Sequence, residues 1–114
     1  MKTIFLAERN KNVREFISRE LLTLGYRIRG FKNARDLLEG IKTSGRADVI
    51  VLGEDLPDMA IVDTVHTIRK NRPTQPVVLH TLDAYENGFL PDPNLLFAKK
   101  QSDLGELIAA LRQC

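Results

Sequence analysis

Cysteine is nearly absent. Cys114 is the one thiol among 114 residues, so no disulfide can close within the chain. Such usage fits a reducing compartment, and the expected location is the cytoplasm. No apolar run approaches the roughly 20 residues of a bilayer-spanning helix, and the amino terminus lacks a signal-peptide pattern. No membrane partner is expected. An excess of one charge is also missing: 17 basic and 15 acidic residues give a formal charge of +2. That balance does not mark a nucleic-acid binder. Glycine-rich phosphate loops, zinc-ligand spacings and nucleophile elbows are absent, as are repeats, low-complexity segments and linkers. What is present is ordinary for a soluble globular chain, 43% hydrophobic and 28% charged, with the length of a single domain spanning residues 1–114.

The most informative stretch runs from Asp48 to Pro57. Val49-Ile50-Val51-Leu52 is a continuous apolar run, as in a strand buried on both faces of a parallel sheet. It ends in Gly53-Glu54-Asp55, and Pro57 reads as the opening of a helix. The carboxyl ends of such strands are where open α/β sheets place their chemistry. Ile4 to Ala7 is a similar buried run ending at Glu8-Arg9. Asn10 or Asn12 can cap the following helix, whose apolar face is Val13, Phe16, Ile17, Leu21 and Leu24. Gly25 is placed to stop it. Tyr26 to Phe31 alternates apolar and basic residues, as an edge strand does.

Asn33 caps a second helix carrying Ala34, Leu37, Leu38 and Ile41, closed near Gly45. A third uses Ile61, Val65 and Ile68 and ends before Pro73. Pro76 to Thr81 and Leu95 to Ala98 read as the fourth and fifth strands. A last helix, capped by Ser102 or Asp103, carries Leu104, Leu107, Ile108 and Leu111. This alternation predicts a flavodoxin-like three-layer α/β sandwich with a five-stranded parallel sheet in the order 2-1-3-4-5. Between Thr81 and the fifth strand, Gly88, Pro91 and Pro93 leave the fourth crossover helix short or missing. Tyr85, Phe89, Leu90, Leu95 and Leu96 are expected to patch the thinly covered face, leaving apolar surface for a partner or a second copy.

Several of these segments, in order and spacing, resemble the receiver domain of two-component response regulators over essentially the full length. They are Ile4 to Glu8 followed by Val13-Arg14-Glu15, Ala47 to Leu52 followed by Leu56-Pro57-Asp58-Met59, Pro76 to Thr81, and Phe97 to Leu107. The resemblance implies five functional positions. Two adjacent acids end the first strand and help bind Mg²⁺, an Asp ending the third accepts the phosphoryl group, a Ser or Thr ends the fourth, and a Lys ends the fifth. Carried onto this chain they become Glu8 and Arg9, Gly53, Thr81, and Lys100, with Lys99 as the alternative register. Lys100 keeps Phe97 at the aromatic switch position.

Two of these positions depart from the pattern. Gly53 offers no attacking oxygen. Arg9 removes a carboxylate from a cation that wants hard oxygen ligands and adds a positive charge, which can pair with Glu8 if it turns inward. Lys100 can likewise pair with Glu8. A degenerate receiver is therefore expected, non-enzymatic and without Mg²⁺ or another cofactor. It would act by phosphorylation-independent contact with a signalling protein such as a histidine kinase or another regulator, or as a homodimer. The alternatives are a small-ligand binder or enzyme on the same scaffold, or a receiver phosphorylated at a shifted acid among Glu54, Asp55 and Asp58.

His80 reads as a satisfied, partly buried residue facing away from Thr81, and His66 as a solvated helix residue. Arg69-Lys70-Asn71-Arg72 reads as cations at a helix carboxyl end.

Overall fold

The structure, a computed structural model, describes residues 1–82 and 91–114. Five short strands form one parallel sheet: β1 (Thr3–Ala7), β2 (Arg27–Phe31), β3 (Val49–Gly53), β4 (Val77–Thr81) and β5 (Leu95–Lys99), in the order β2-β1-β3-β4-β5. Four helices are present among the described residues: α1 (Lys11–Thr23), α2 (Ala34–Ser44), α3 (Ile61–Asn71) and α4 (Gly105–Arg112). This is the expected three-layer, flavodoxin-like arrangement. β3, the most apolar run, is buried along its whole length, and β2, with exposed Arg27 and Arg29, forms an edge.

Alternation along the strands sorts the core into two layers. Phe5, Ile50, Leu52, Val77 and Leu79 meet Leu37 and Ile41 of α2 and Val65 and Ile68 of α3. Ile4, Leu6, Val49, Val51, Val78 and Ala98 meet Ile17 and Leu21 of α1 and Leu107 and Leu111 of α4. Both faces of the sheet are therefore covered, which is why its central strands carry no polar alternation.

The helix ends follow local chemistry, with exceptions. Asn10 caps α1 by accepting the Val13 N–H, and Asn33 caps α2 by accepting that of Asp36. Gly45 closes α2 with φ 79°, a left-handed conformation that glycine adopts without a Cβ penalty. Leu24, expected on the buried stripe of α1, instead follows the last helical residue and is half exposed. Neither Ser102 nor Asp103 is the N-cap of α4. Leu104 holds that place, while the Asp103 carboxylate accepts the Gly105 N–H at 2.8 Å.

Pro57 does not open α3, which starts at Ile61 after a turn. The reason lies in Asp58, whose two oxygens each accept a backbone N–H, from Ala34 and Arg35, at 2.9 Å. The loop after β3 is thus spent on capping α2, the neighbouring helix. Leu95 is buried in the α2/α3 layer, and Leu96 is half-buried against the α1/α4 layer. Tyr85, Phe89 and Leu90, and the fourth crossover as a whole, fall on or across residues 83–90, outside the described residues.

The Asp58 contact yields a pH-dependent prediction. Hydrogen bonds from Ala34 and Arg35 hold its carboxyl below the ordinary value of 3.8. A depressed carboxylate contributes stability that is present above the unfolded-state value and lost as pH falls through the lower folded-state value. Asp58→Ala should therefore cost about 1 kcal/mol at neutral pH, the scale of a lost helix cap. In urea titrations the deficit should close below pH 3.8. A deficit that persists unchanged into acid would show that the carboxylate charge is not what stabilises α2.

Candidate functional site

The carboxyl ends of β1, β3 and β4 and the turn after β5 surround a cleft of about 670 Å³, lined by Glu8, Arg9, Asn10, Glu54, Asp55, Leu82 and Lys100. Its position follows from topology: β1 and β3 are adjacent, and their connections leave in opposite directions. Glu8 is the residue after β1 and is 3% exposed. Its Oε1 accepts the Lys100 Nζ at 2.7 Å, and its Oε2 accepts the Asn10 backbone N–H at 2.9 Å. Arg14 fixes the same turn from α1, donating from Nη1 to the Glu8 carbonyl at 2.8 Å. The sequence shows Arg14 only as a residue of the first turn of α1; its reach back to a carbonyl six residues earlier is not displayed by the helical period.

Gly53 ends β3 and is buried. A Cβ added there would lie 3.0 Å from Glu8 Oε1 and 3.1 Å from the Ala7 carbonyl, so the Glu8 carboxylate occupies the space beside it. Arg9 does not turn inward onto Glu8. Its guanidinium lies 3.8 Å from Asp55, and both side chains are largely exposed, so the pair adds little to stability. Asp55 has φ 67°, a left-handed conformation that aspartate tolerates better than most residues. Glu54 accepts the Leu82 N–H. Asp58 sits on the amino terminus of α2 and is not part of the cleft lining.

Thr81 is buried at the end of β4, and its carbonyl accepts the Lys100 N–H at 2.6 Å. Lys99 is the strand residue paired with Thr81, and its exposed side chain is not among those lining the cleft; its N–H goes to Glu106. Lys100 is the lysine whose ammonium reaches the cleft. Phe97 is 44% exposed on β5, an edge strand among those described.

His80 differs from the sequence expectation in two ways. It is 2% exposed rather than partly buried, and neither ring nitrogen has a hydrogen-bond partner among the described residues. In register it lies between Gly53 and Ala98, two small residues that leave room for the ring within the α1/α4 layer. Burial is the main cause lowering its pKa from 6.5 to about 4, reinforced by the Lys100 charge and opposed by Glu8 and Glu106. His66 is exposed, as expected. Arg69 is more than a solvated helix-end cation: it pairs with Asp92 and donates to the carbonyls of Gln75 and Asn94, joining α3 to the entries of β4 and β5. Arg72 reaches back to the carbonyls of Ile41 and Gly45.

The buried imidazole predicts acid sensitivity. Native His80 stays neutral down to about pH 4, whereas the unfolded chain takes up a proton near the ordinary 6.5. Stability is therefore present above that unfolded value and lost as pH falls toward the folded one, on the order of 3 kcal/mol for a shift of this size. His80→Leu should flatten the stability profile between pH 6.5 and about 4 without loss at neutral pH. A wild-type profile that is already flat across this window would contradict the assignment.

No protein-family model matches this sequence, and no curated protein matches it. Solved structures do. The response regulator TrrA of Thermotoga maritima, in complex with Mg²⁺-BeF, is 23% identical, with 99% of this chain and 98% of that one covered and a TM-score of 0.85. The same regulator in complex with the histidine kinase ThkA gives a TM-score of 0.83 at 23% identity, with 99% and 97% covered. The chemotaxis regulator CheY4 of Vibrio cholerae gives 0.88 at 18% identity, with 99% and 98% covered. At these identities the likeness is one of fold: the described residues fold as those of a response-regulator receiver domain do.

Proposed function

We propose that this chain is a degenerate receiver, a signalling module that acts by binding another protein without being phosphorylated. The observation that carries the reading is Gly53. Phosphoryl transfer requires an oxygen nucleophile placed in line with the donor, and the strand end where the fold positions one has no side chain. The nearest carboxylate, Glu8, is occupied on one oxygen by Lys100 and on the other by the Asn10 N–H. The partner in this reading is a histidine kinase, the kind of protein with which the similar TrrA is found in complex, or another regulator, with self-association as a further mode. Cytoplasmic residence and the lack of enzymatic activity belong to the same proposal.

The side chains around the cleft do not suit Mg²⁺. This ion needs near-octahedral oxygen ligation with carboxylates free to coordinate. Here Glu8 is committed to a lysine, Arg9 brings a cation to the rim, and Glu54 accepts the Leu82 N–H. Among the described residues no group of three or more His, Cys, Asp or Glu converges as a metal site. No step of the proposed function passes through a metal.

Thermal unfolding with Mg²⁺ and beryllofluoride, an analogue of a transferred phosphoryl group, tests the proposal. A ligand at a hundred times its dissociation constant would stabilise the fold by about 2.7 kcal/mol. The expected result is no shift in Tm at millimolar Mg²⁺ with or without beryllofluoride. A saturable, Mg²⁺-dependent rise would overturn the degenerate reading and return attention to Glu54 and Asp55.

A further inference from the structure

We propose that the outer edge of β2 is a docking site for an extended acidic segment of a partner protein, which adds to the sheet as a further strand. The inference deepens the binding half of the proposed function by naming a surface and the chemistry of what it takes. It does not depend on Gly53. Its test reads contact at β2, so phosphoryl labelling and docking can fail independently.

Among the described residues β2 is the last strand on its side of the sheet and pairs with β1 alone. Its Arg27 N–H donates to the Lys2 carbonyl, and its Phe31 carbonyl accepts the Glu8 N–H, both at 2.9 Å. Backbone groups alternate in direction along a strand, so Arg27, Arg29 and Phe31 turn theirs to β1 while Ile28 and Gly30 direct theirs outward. Gly30 is exposed. The register from Arg27 to Phe31 is unbroken by a bulge, and the strand has no proline. What guards this edge against indiscriminate pairing is charge.

From Tyr26 to Arg35 the chain has four cations and no acid. Arg27, Arg29 and Lys32 are exposed, and none of them is in an ion pair among the described residues. Arg29 is held in place: its guanidinium lies 5.7 Å from the Phe5 ring centroid and 5.2 Å from that of Phe31, and it donates to the Ser44 hydroxyl. Gly40 of α2 makes room for this stack, since a Cβ there would come within 2.8 Å of the Phe31 ring. Alternate residues share a face, so Arg27 and Arg29 stand about 7 Å apart on the α2 side, the spacing of acids at alternate positions of a strand laid alongside. A second copy is a poor occupant, because β2 against β2 would set arginine opposite arginine. An acidic strand instead meets charge-assisted pairs, with the Ile28 and Gly30 backbone supplying the ladder. Nucleic acid suits the edge less well: the rings beneath Arg29 are buried and offer no stacking platform.

Amide NMR of the intact chain, titrated with an extended peptide alternating valine and glutamate, tests the proposal. Shifts should concentrate on residues 26–32, added salt should weaken binding, and at saturation the Ile28 and Gly30 amides should exchange more slowly. The same peptide with lysine in place of glutamate should not bind. Nor should the glutamate peptide N-methylated throughout, which keeps its charge and loses every backbone donor. Arg27→Glu, at an exposed position outside the Arg29 stack, should weaken the peptide about tenfold. The amide spectrum of that variant checks that its fold is kept. No shifts at millimolar peptide would overturn the proposal, as would unchanged affinity in Arg27→Glu. Equal binding of the N-methylated peptide, or tighter binding of single-stranded DNA at the same residues, would overturn it too.

Discussion

The ion pair between Glu8 and Lys100 is the constraint on which the carboxyl-end face of the sheet depends. It joins the first strand to the last turn at 2.7 Å, over a glycine at the end of the central strand. A buried charge without a partner costs several kcal/mol, and Glu8, with its side chain 4% exposed, is the member of the pair that depends on its partner. Gly53 lies directly beneath this pair: a Cβ there would touch Glu8 Oε1 at 3.0 Å and the Ala7 carbonyl at 3.1 Å.

Around this centre several polar side chains bind elements together. Asp58, which follows β3, caps the preceding α2 through two backbone N–H groups. Arg69 joins α3 to the entries of β4 and β5, where its partner Asp92 is held below the usual carboxylate range by that guanidinium and the Asn94 N–H, against the opposing effect of burial. Arg14 fixes the turn that carries Glu8. Acids that a shifted phosphoacceptor would require are thus engaged: Asp58 in capping, Glu54 with the Leu82 N–H. Asp55 is exposed and pairs loosely with Arg9. The signalling relatives share the fold, while the chemistry at its carboxyl edge belongs to this chain's own residues.

The strands and their order were legible because a parallel sheet covered on both faces leaves uninterrupted apolar runs, and Ile4 to Ala7, Val49 to Leu52 and Val77 to Leu79 are such runs. Asn10, Asn33, Gly25 and Gly45 mark helix ends by local chemistry, which sequence shows directly. The places that went differently are nonlocal. Pro57 suggested a helix start, but Asp58 is drawn to α2, some 24 residues earlier in the chain. Leu24 fits the apolar period of α1 yet lies one residue past its end. The solitude of the His80 imidazole depends on Gly53 and Ala98 flanking it across two strand pairings, and no local pattern displays that. Of the cleft's lining, Glu8, Arg9 and Lys100 are positions that the resemblance supplies, whereas Asn10 and Leu82 are not. That Lys100 rather than Arg9 meets Glu8 is set by three-dimensional placement.

The central claim is that the strand end at Gly53 cannot accept a phosphoryl group. Incubation of the intact chain with acetyl phosphate and Mg²⁺, followed by intact-mass and peptide mass spectrometry, tests it most directly. The result predicted here is no added mass of one phosphoryl group at any donor concentration, alongside a labelled active receiver as control. Stoichiometric, Mg²⁺-dependent labelling of the wild-type chain, at Glu8, Glu54, Asp55 or elsewhere, would contradict it.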